Sequence, residues 1–194
     1  MSGAGHGHAP EGHGSAENKR IALLISVLAL VLALSETLGK SAQTNGIDKN
    51  IEASNLWSFF QAKTIRMTVL RTATESAELE LDNAASAKSK QALEQRIAGW
   101  RKAAERYDSE PDTREGRKEL AARAKEAEKI RDRSLAAYHH YELASAAVQI
   151  AIVLASASII TSMVALVWAA GALGILGVAF CVIGFFFPTA VHLF

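Results

Sequence analysis

The stretch that decides the fold is LASAAVQIAIVLASASIITSMVALVWAAGALGILGVAFCVIGFFFPTAVHLF, from Leu143 to Phe194. It contains no Asp, Glu, Lys or Arg, although charged residues make up 21% of the chain. A helix that crosses the hydrocarbon core of a bilayer needs ~20 apolar residues, and Gly171 divides the stretch into two lengths of about that size. The sequence therefore predicts two membrane helices, at residues 144–168 and 170–193, that form a hairpin.

A shorter apolar run, Ile21–Leu34, follows Lys19 and Arg20 and continues less cleanly to Leu38. It resembles the apolar part of a signal peptide, but the Gly- and His-rich residues 1–18 that precede it are an unusual leader for one. We therefore expect an uncleaved first transmembrane helix at residues 19–40. Residues 1–18 have no hydrophobic periodicity, so we expect them to form a flexible tail.

The charged residues concentrate between the first and second apolar segments. Asp48 to Glu142 holds 18 of the 21 basic and 17 of the 20 acidic residues. The near balance of charge argues against nucleic-acid binding. The single cysteine, Cys181, excludes a disulfide framework and is read as a small packing residue.

Residues 41–143 show helical heptad periodicity, in which apolar residues recur at alternating spacings of four and three. One seam comprises Leu56, Phe60, Lys63, Met67, Leu70, Thr74, Ala77 and Leu81, and a second comprises Leu93, Ile97, Trp100, Ala104 and Tyr107. A third begins at Ala127 and continues through Ile130, Ser134, Ala137, Tyr141, Ala144, Val148, Ala151, Ala155, Ser158, Ser162 and Ala165. The predicted class is an all-α membrane protein with three transmembrane helices and a long helical coiled-coil domain between the first and second.

Local signals predict where these helices begin and end. Thr44-Asn45-Gly46 is typical of a turn, and Pro111 suits the first turn of a helix. No glycine or proline interrupts residues 117–170, so the third helix should enter the membrane unbroken. From the helix lengths, we expect the first and third helices to pair in antiparallel fashion, with the middle helix lying across or beyond their tip.

Each membrane helix carries small residues at helical spacing, which permit close approach of helix backbones. The first has Ala22, Ser26, Ala29 and Ala33, the second Ala155, Ser158 and Ser162, and the third Gly174, Gly177 and Gly184. Packing within one subunit is the favoured interpretation, and contacts in a homo-oligomer are the alternative.

Ionisable residues near the membrane suggest two further sites. Glu36 lies within the first crossing, where a carboxylate can mark a proton path, but Lys40 four residues later favours an ion pair. His6, His8 and His13 in the tail offer imidazoles to a transition metal. His139 and His140, flanked by Tyr138 and Tyr141, are typical of an interfacial aromatic belt.

The segment Ala53-Ser54-Asn55-Leu56-Trp57-Ser58-Phe59-Phe60-Gln61-Ala62-Lys63 is, by default, an interfacial anchor. It also resembles the Trp-x-x-Phe/Tyr-Gln-Ala-Lys segment of an uncharacterised bacterial inner-membrane family known as a domain of unknown function. Members are similar in their His-bearing N-terminal tail and two closing apolar helices, and they usually carry basic residues between the last two crossings, unlike this chain. The resemblance implies a bacterial inner-membrane location and no particular activity.

No phosphate loop, nucleophile elbow, paired-cysteine metal site or dinucleotide fingerprint occurs in the sequence. We therefore expect a non-enzymatic, multi-pass inner-membrane protein that needs no cofactor, self-associates and projects a coiled-coil stalk with a structural or scaffolding role. Its partners would be the lipid bilayer and other copies of itself, with the N-terminus inside because of Lys19 and Arg20.

Two other functions stay open. The layout is similar to that of proton-driven energy-transducing channel subunits, for which Glu36, Ser158, Thr161 and Ser162 would be pore candidates. Metal sensing or storage would instead use the N-terminal histidines.

Overall fold

The computed structural model describes residues 13–190, with side chains from Ala16 onwards, as four helices. They are α1 (His13–Asp82), α2 (Ala87–Asp108), α3 (Arg117–Thr161) and α4 (Val164–Phe186). The described residues include no strand, so the predicted all-α class is confirmed.

Three helices, α1, α3 and α4, are long and apolar enough to cross a membrane, judged by length and composition. Their most apolar windows bury only 17%, 28% and 17% of their residues inside the chain. Because so much apolar surface faces outward, these helices are compatible with a membrane-spanning protein.

α1 runs for 70 residues without a break, and the turn predicted at Thr44-Asn45-Gly46 is wrong. A glycine inside a helix costs only about 1 kcal/mol relative to alanine, and Gly46 is buried. The packing of α1 on both sides of Gly46 therefore outweighs the weak turn signal of Thr44-Asn45-Gly46.

The break between α3 and α4 falls at Ser162 and Met163, so the predicted division at Gly171 is wrong. Ser162 adopts a left-handed backbone with φ of 55°, and its N–H donates a 2.9 Å hydrogen bond to the carbonyl of Ser158. Gly171 lies inside α4. The predicted unbroken helix over residues 117–170 therefore ends at Thr161.

α3 begins at Arg117, and the helix start predicted at Pro111 is also wrong. Residues 111–114 form turns, with Arg114 in the left-handed region at φ of 57°. The carboxylate of Glu119, in the first turn of α3, accepts hydrogen bonds from the Ser109 hydroxyl at 2.6 Å and the Glu110 N–H at 3.1 Å. These hydrogen bonds hold the connection that follows α2 against the N-terminus of α3.

The chain divides into two compact units, and the unit Asn45–Asp132 contains the charged helices. Its core joins α1 to α3 through Leu56, Leu120 and Ala124, with Trp57 and Phe60 packed against it. The eight residues of the first predicted seam are all buried or half-buried.

α2 packs along α1 within this unit, so its predicted placement across or beyond the tip is wrong. Arg101 forms a 2.5 Å ion pair with Glu78, and the Lys63 ammonium lies 5.3 Å from the centre of the Tyr107 ring. α3 starts beside Phe60, not farther along α1, and thereby leaves the later part of α1 to α2. The predicted placement requires that the first and third helices have soluble parts of equal length.

The second unit comprises the described residues up to Thr44 and from Arg133 onwards. Its core is formed by six buried residues of α1, α3 and α4: Ile21, Leu28, Val148, Ala151, Ala155 and Ala170. The Ser35 and Ser145 hydroxyls share a 2.9 Å hydrogen bond that joins α1 to α3.

Candidate interaction surfaces

The segment from Trp57 to Lys63 links helices α1 and α3 within the unit Asn45–Asp132. The Trp57 indole donates a 2.9 Å hydrogen bond to the Glu128 carboxylate of α3 and makes an edge contact with Phe60, at 5.4 Å between ring centres. The Arg117 guanidinium lies 5.0 Å from the centre of the Phe60 ring. Trp57 and Phe60 therefore contact helix α3, in addition to the interfacial role predicted for this segment.

Lys63, the last residue of this segment, contacts α2 and the connection that leads to α3. Only 9% of the residue is exposed, and its ammonium lies 3.9 Å from the Glu115 carboxylate and over the Tyr107 ring. Cation–π contacts are stronger when water is excluded. The lysine therefore occupies a predicted seam position without leaving its charge unpartnered.

Ion pairs link the end of α2 to the start of α3 in the same unit. Asp108 lies 2.9 Å from Lys118 and 3.1 Å from Arg117. The hydrogen bond from Lys118 lowers the pKa of the Asp108 carboxyl, and the positive charges of Lys118, Arg117 and Arg71 lower it further. The hydrogen bond from Ser109 likewise lowers the pKa of Glu119. Carboxyls held ionised in this way accept ion pairs or hydrogen bonds and are not proton donors near neutral pH.

The small faces of α3 and α4 pack against other helices of the same chain. A Cβ at Gly177 would lie 2.5 Å from Val148 Cγ2 and 3.2 Å from the carbonyl oxygen of Ala144. A Cβ at Gly174 would lie 2.6 Å from Leu28 Cδ2, and one at Gly184 would lie 3.0 Å from His140 Cβ.

The small positions on α3 divide between buried and exposed sites. Ala155 is fully buried and Ser158 is 2% exposed. Ser162, in contrast, is exposed at the turn. Most of the predicted packing residues in these two helices are thus already covered by their own chain.

The small face of α1 has the opposite environment. Ala22, Ser26, Ala29 and Ala33 are all exposed, and α1 instead packs into its own unit through Ile21, Leu28, Ser35 and Gly39. This exposed row follows spacings of four and three, so it forms one face of the helix. We call these four alanine and serine residues the small face of α1.

Within the unit Asn45–Asp132, α1 carries a second periodic row opposite its buried seam. The row, which we call the outer stripe, consists of Ile47, Ile51, Ser54, Ser58, Ala62, Ile65, Val69, Thr72, Ser76 and Leu79. All ten residues are exposed, and none is charged. The larger ones expose between 52% and 71% of their surface. The predicted seams do not include this row, although its spacing is a second phase of the same heptad pattern.

Glu36 contacts α3 and not Lys40. Its carboxylate accepts a 3.3 Å hydrogen bond from the Gln149 amide, and the ion pairs among the described residues do not include the predicted one with Lys40. The pore candidates Ser158 and Thr161 donate their hydroxyls to carbonyls of their own helix.

The histidines fall into three environments. His6 and His8 lie outside the described residues, and His13 begins α1 with its side chain outside them. No group of three or more potential metal-ligating side chains occurs among the described residues. His139 is exposed beside Glu142, at 3.7 Å.

His140 is 1% exposed, which does not fit the predicted interfacial belt. Its Nε2 lies 3.2 Å from the carbonyl oxygen of Pro188, and its ring stacks on Phe180 at 6.3 Å. The imidazole of α3 therefore contacts both α4 and the residues that follow it.

A family model described as a domain of unknown function (DUF4337) matches residues 17–187 of the chain. The match covers all of α2 and α3, all of α4, and α1 from Glu17 onwards. No curated protein and no solved structure matches the chain.

Proposed function

The chain belongs to the DUF4337 family, a domain of unknown function, and we propose that it is a non-enzymatic membrane protein that self-associates in parallel through α1. In this proposal α1, α3 and α4 cross the bacterial inner membrane. The charged unit Asn45–Asp132 lies outside the bilayer and has a structural or scaffolding role.

The outer stripe is the observation that carries the proposal. It extends over residues 47–79, about 50 Å of helix at 1.5 Å per residue. These 33 residues are nearly five heptads, more than the three to four that indicate a coiled coil. In the same segment, charged residues such as Asp48, Lys63, Arg66 and Glu75 all lie off the stripe. An uncovered row of this length that has no charge and is apolar at six of its ten positions is typical of a surface that packs against a partner helix.

Its composition favours a second copy of the same chain as the partner. Two copies anchored in one membrane associate in parallel, so each residue of a symmetric interface lies near its own counterpart. A charged residue in such a row would then face an identical charge. A stripe of Ile, Val, Leu, Ala, Ser and Thr avoids that repulsion along its whole length.

The small face of α1 supports close association in the other unit. Ala22, Ser26, Ala29 and Ala33 are exposed, and small residues let helix backbones approach in lipid, where no hydrophobic force drives helices together. In the same unit, the small faces of α3 and α4 are already covered by their own chain. α1 is therefore the membrane helix whose small face is available to another subunit.

The charged groups support a structural role. The carboxyls of Asp108 and Glu119 have lowered pKa values, caused by hydrogen bonds from Lys118 and Ser109 respectively. A general acid working near neutral pH needs a raised carboxyl pKa. These groups therefore fit ion pairs, at Asp108, and hydrogen bonds, at Glu119, that hold helices together.

Native mass spectrometry of the detergent-purified protein tests self-association. Ile65→Glu places a charge in the middle of the outer stripe, and we expect the main species to shift from an oligomer to a monomer. Gln95→Glu adds the same charge at an exposed position of α2 and should leave the oligomer intact. An Ile65→Glu variant with the wild-type mass distribution would contradict the proposed interface.

The same spectra discriminate the other functions. A closed ring of about five subunits would favour the channel alternative, because a cyclic oligomer can enclose a pore. Metal that remains bound to the full chain and is lost on deletion of residues 1–18 would favour metal sensing or storage through His6, His8 and His13.

A further inference from the structure

A polar cleft lies between α1 and α3, beside the point where the two helices touch. Its volume is about 440 Å³, and its lining includes Glu36, Lys40, Tyr138, Glu142 and Gln149. Gly39 and Tyr141 also line it, and the two helices approach closely there, since a Cβ at Gly39 would lie 3.3 Å from Tyr141 Cβ. All these residues belong to the unit of α1, α3 and α4.

The cleft is located where apolar helix gives way to charged helix. On α1, the apolar run Ile21–Leu34 ends just before Glu36, and on α3 the uncharged segment begins at Leu143, immediately after Glu142. Tyrosines and long charged side chains are typical of the headgroup level of a bilayer. With α1 and α3 crossing the bilayer as in the proposed function, on which this step rests, the cleft lies at the level where lipid headgroups are the most abundant small molecules.

Its charges are incompletely matched within the chain. Glu36 accepts a single hydrogen bond, from Gln149 at 3.3 Å, and Glu142 lies 3.7 Å from His139 Nδ1. Lys40 is exposed and has no ion pair among the described residues. The cleft thus presents two carboxylates and one ammonium group, which leaves acceptors for a cation next to a donor for an anion.

We propose that this cleft binds the ammonium–phosphate zwitterion of a phosphoethanolamine headgroup. The primary ammonium has three N–H donors for the Glu36 and Glu142 carboxylates, and the phosphate accepts from the Lys40 ammonium. Hydrogen bonds between ionised groups are roughly twice as strong as neutral ones. This proposal does not depend on self-association, because both helices of the cleft come from one chain.

The chemistry of the cleft predicts an order of binding affinity among lipids with the same acyl chains. Phosphatidylcholine has the same charges but no N–H donor for the carboxylates, so it should bind more weakly than phosphatidylethanolamine. Phosphatidylglycerol has no cation and would bring a net negative charge against Glu36 and Glu142. It should therefore bind most weakly of the three.

Native mass spectrometry of the full chain, with each of the three lipids added in turn, measures this order directly. We expect preferential retention of phosphatidylethanolamine, reduced about tenfold by Glu36→Gln and by Lys40→Met because each removes one charge-assisted contact. Lys19→Met is the matched control. It removes the same charge at the other end of the apolar run of α1 and should leave the lipid order unchanged.

A competition arm separates the headgroup from the whole lipid. If water-soluble phosphoethanolamine displaces the bound lipid, the cleft recognises the zwitterion alone. If it does not, while the preference for phosphatidylethanolamine persists, the acyl chains contribute to binding of the same zwitterion. Equal retention of the three lipids, or an equal loss in Lys19→Met and Glu36→Gln, would overturn the proposal.

Discussion

The indole nitrogen of Trp57 donates a 2.9 Å hydrogen bond to the carboxylate of Glu128, and this bond links α1 to α3. Both residues are half-buried. Replacement of Trp57 by Phe keeps most of the ring but removes the donor, so we expect a loss of about 1.5–3 kcal/mol, the usual value for a hydrogen bond to a charged group. Denaturant unfolding of the full chain in detergent would measure it.

A double-mutant cycle separates this bond from the packing of the ring. Glu128→Gln retains an acceptor but removes the charge, and the double variant should lose less stability than the sum of the two single variants. Strict additivity would mean that the two side chains do not interact in solution.

Two glycines of α4, one in a close helix contact and one in open space, allow a matched test of helix packing. A Cβ at Gly177 would lie 2.5 Å from Val148 Cγ2, whereas a Cβ at Gly171 would meet nothing within 4 Å. Gly177→Ala should destabilise the protein by about 1–3 kcal/mol through overpacking. Gly171→Ala should be neutral or stabilise it by up to about 1 kcal/mol through helix propensity.

Thermal unfolding in detergent, followed by circular dichroism, compares the two glycine variants. The expected result is a lower midpoint for Gly177→Ala alone. Equal midpoints would show that α3 and α4 separate enough to accept the added methyl group.

The left-handed backbone of Ser162 predicts a stabilising substitution. A non-glycine residue at φ of 55° is strained, by about 1–2 kcal/mol relative to glycine. Ser162→Gly should therefore raise the unfolding midpoint, even after the larger entropy loss of glycine. Ser156→Gly, an exposed position within α3, should lower it by the helix-propensity cost of about 1 kcal/mol.

The two serine variants thus have effects of opposite sign for the same chemical change. If both lower the midpoint, the turn between α3 and α4 does not hold Ser162 in the left-handed region.

The Asp108 carboxyl predicts a pH dependence of stability. The hydrogen bond and charge of Lys118 hold its folded-state pKa below the unfolded value, which is about 3.9 for Asp. Its contribution is therefore complete above about pH 4 and is lost as the pH falls through the lowered folded pKa. The stability difference between wild type and Asp108→Asn should shrink on acidification below about pH 4.

Lys118→Met tests the cause of this shift, because it removes the first contact that lowers the Asp108 pKa. NMR titration of the Asp108 carboxyl should show a higher pKa in this variant than in wild type. An unchanged pKa would assign the shift to Arg117 and Arg71 instead.

Periodicity predicted which faces of the helices are buried but not what covers them. The phase of the first seam, including Met67, Leu70 and Leu81, is a local property of the chain, and all three are buried or half-buried. Gly177 was recognisable as a contact position, yet its neighbour Val148 is on another helix and its identity requires the fold. Likewise, the contact of Glu36 with Gln149 joins residues 113 positions apart, and no local rule favours it over Lys40.

The helix ends were predicted less well because packing decides between competing local signals. Asn45-Gly46 is typical of a turn, but it lies within α1. Ser162 has no strong turn signal, yet it ends α3. The placement of α2 depends on where α3 begins, which is Arg117 and not the predicted Pro111.

The two-residue connection between α3 and α4, Ser162 and Met163, has a consequence for biosynthesis. A charged residue costs about 2.5–3.5 kcal/mol when the translocon transfers it to the centre of a membrane helix, and neither this connection nor the helix segments on either side, from Leu143 to Phe186, carry one. In the proposed membrane protein, α3 and α4 would therefore partition from the translocon into lipid together, as a preassembled hairpin, without moving a charged loop through hydrocarbon.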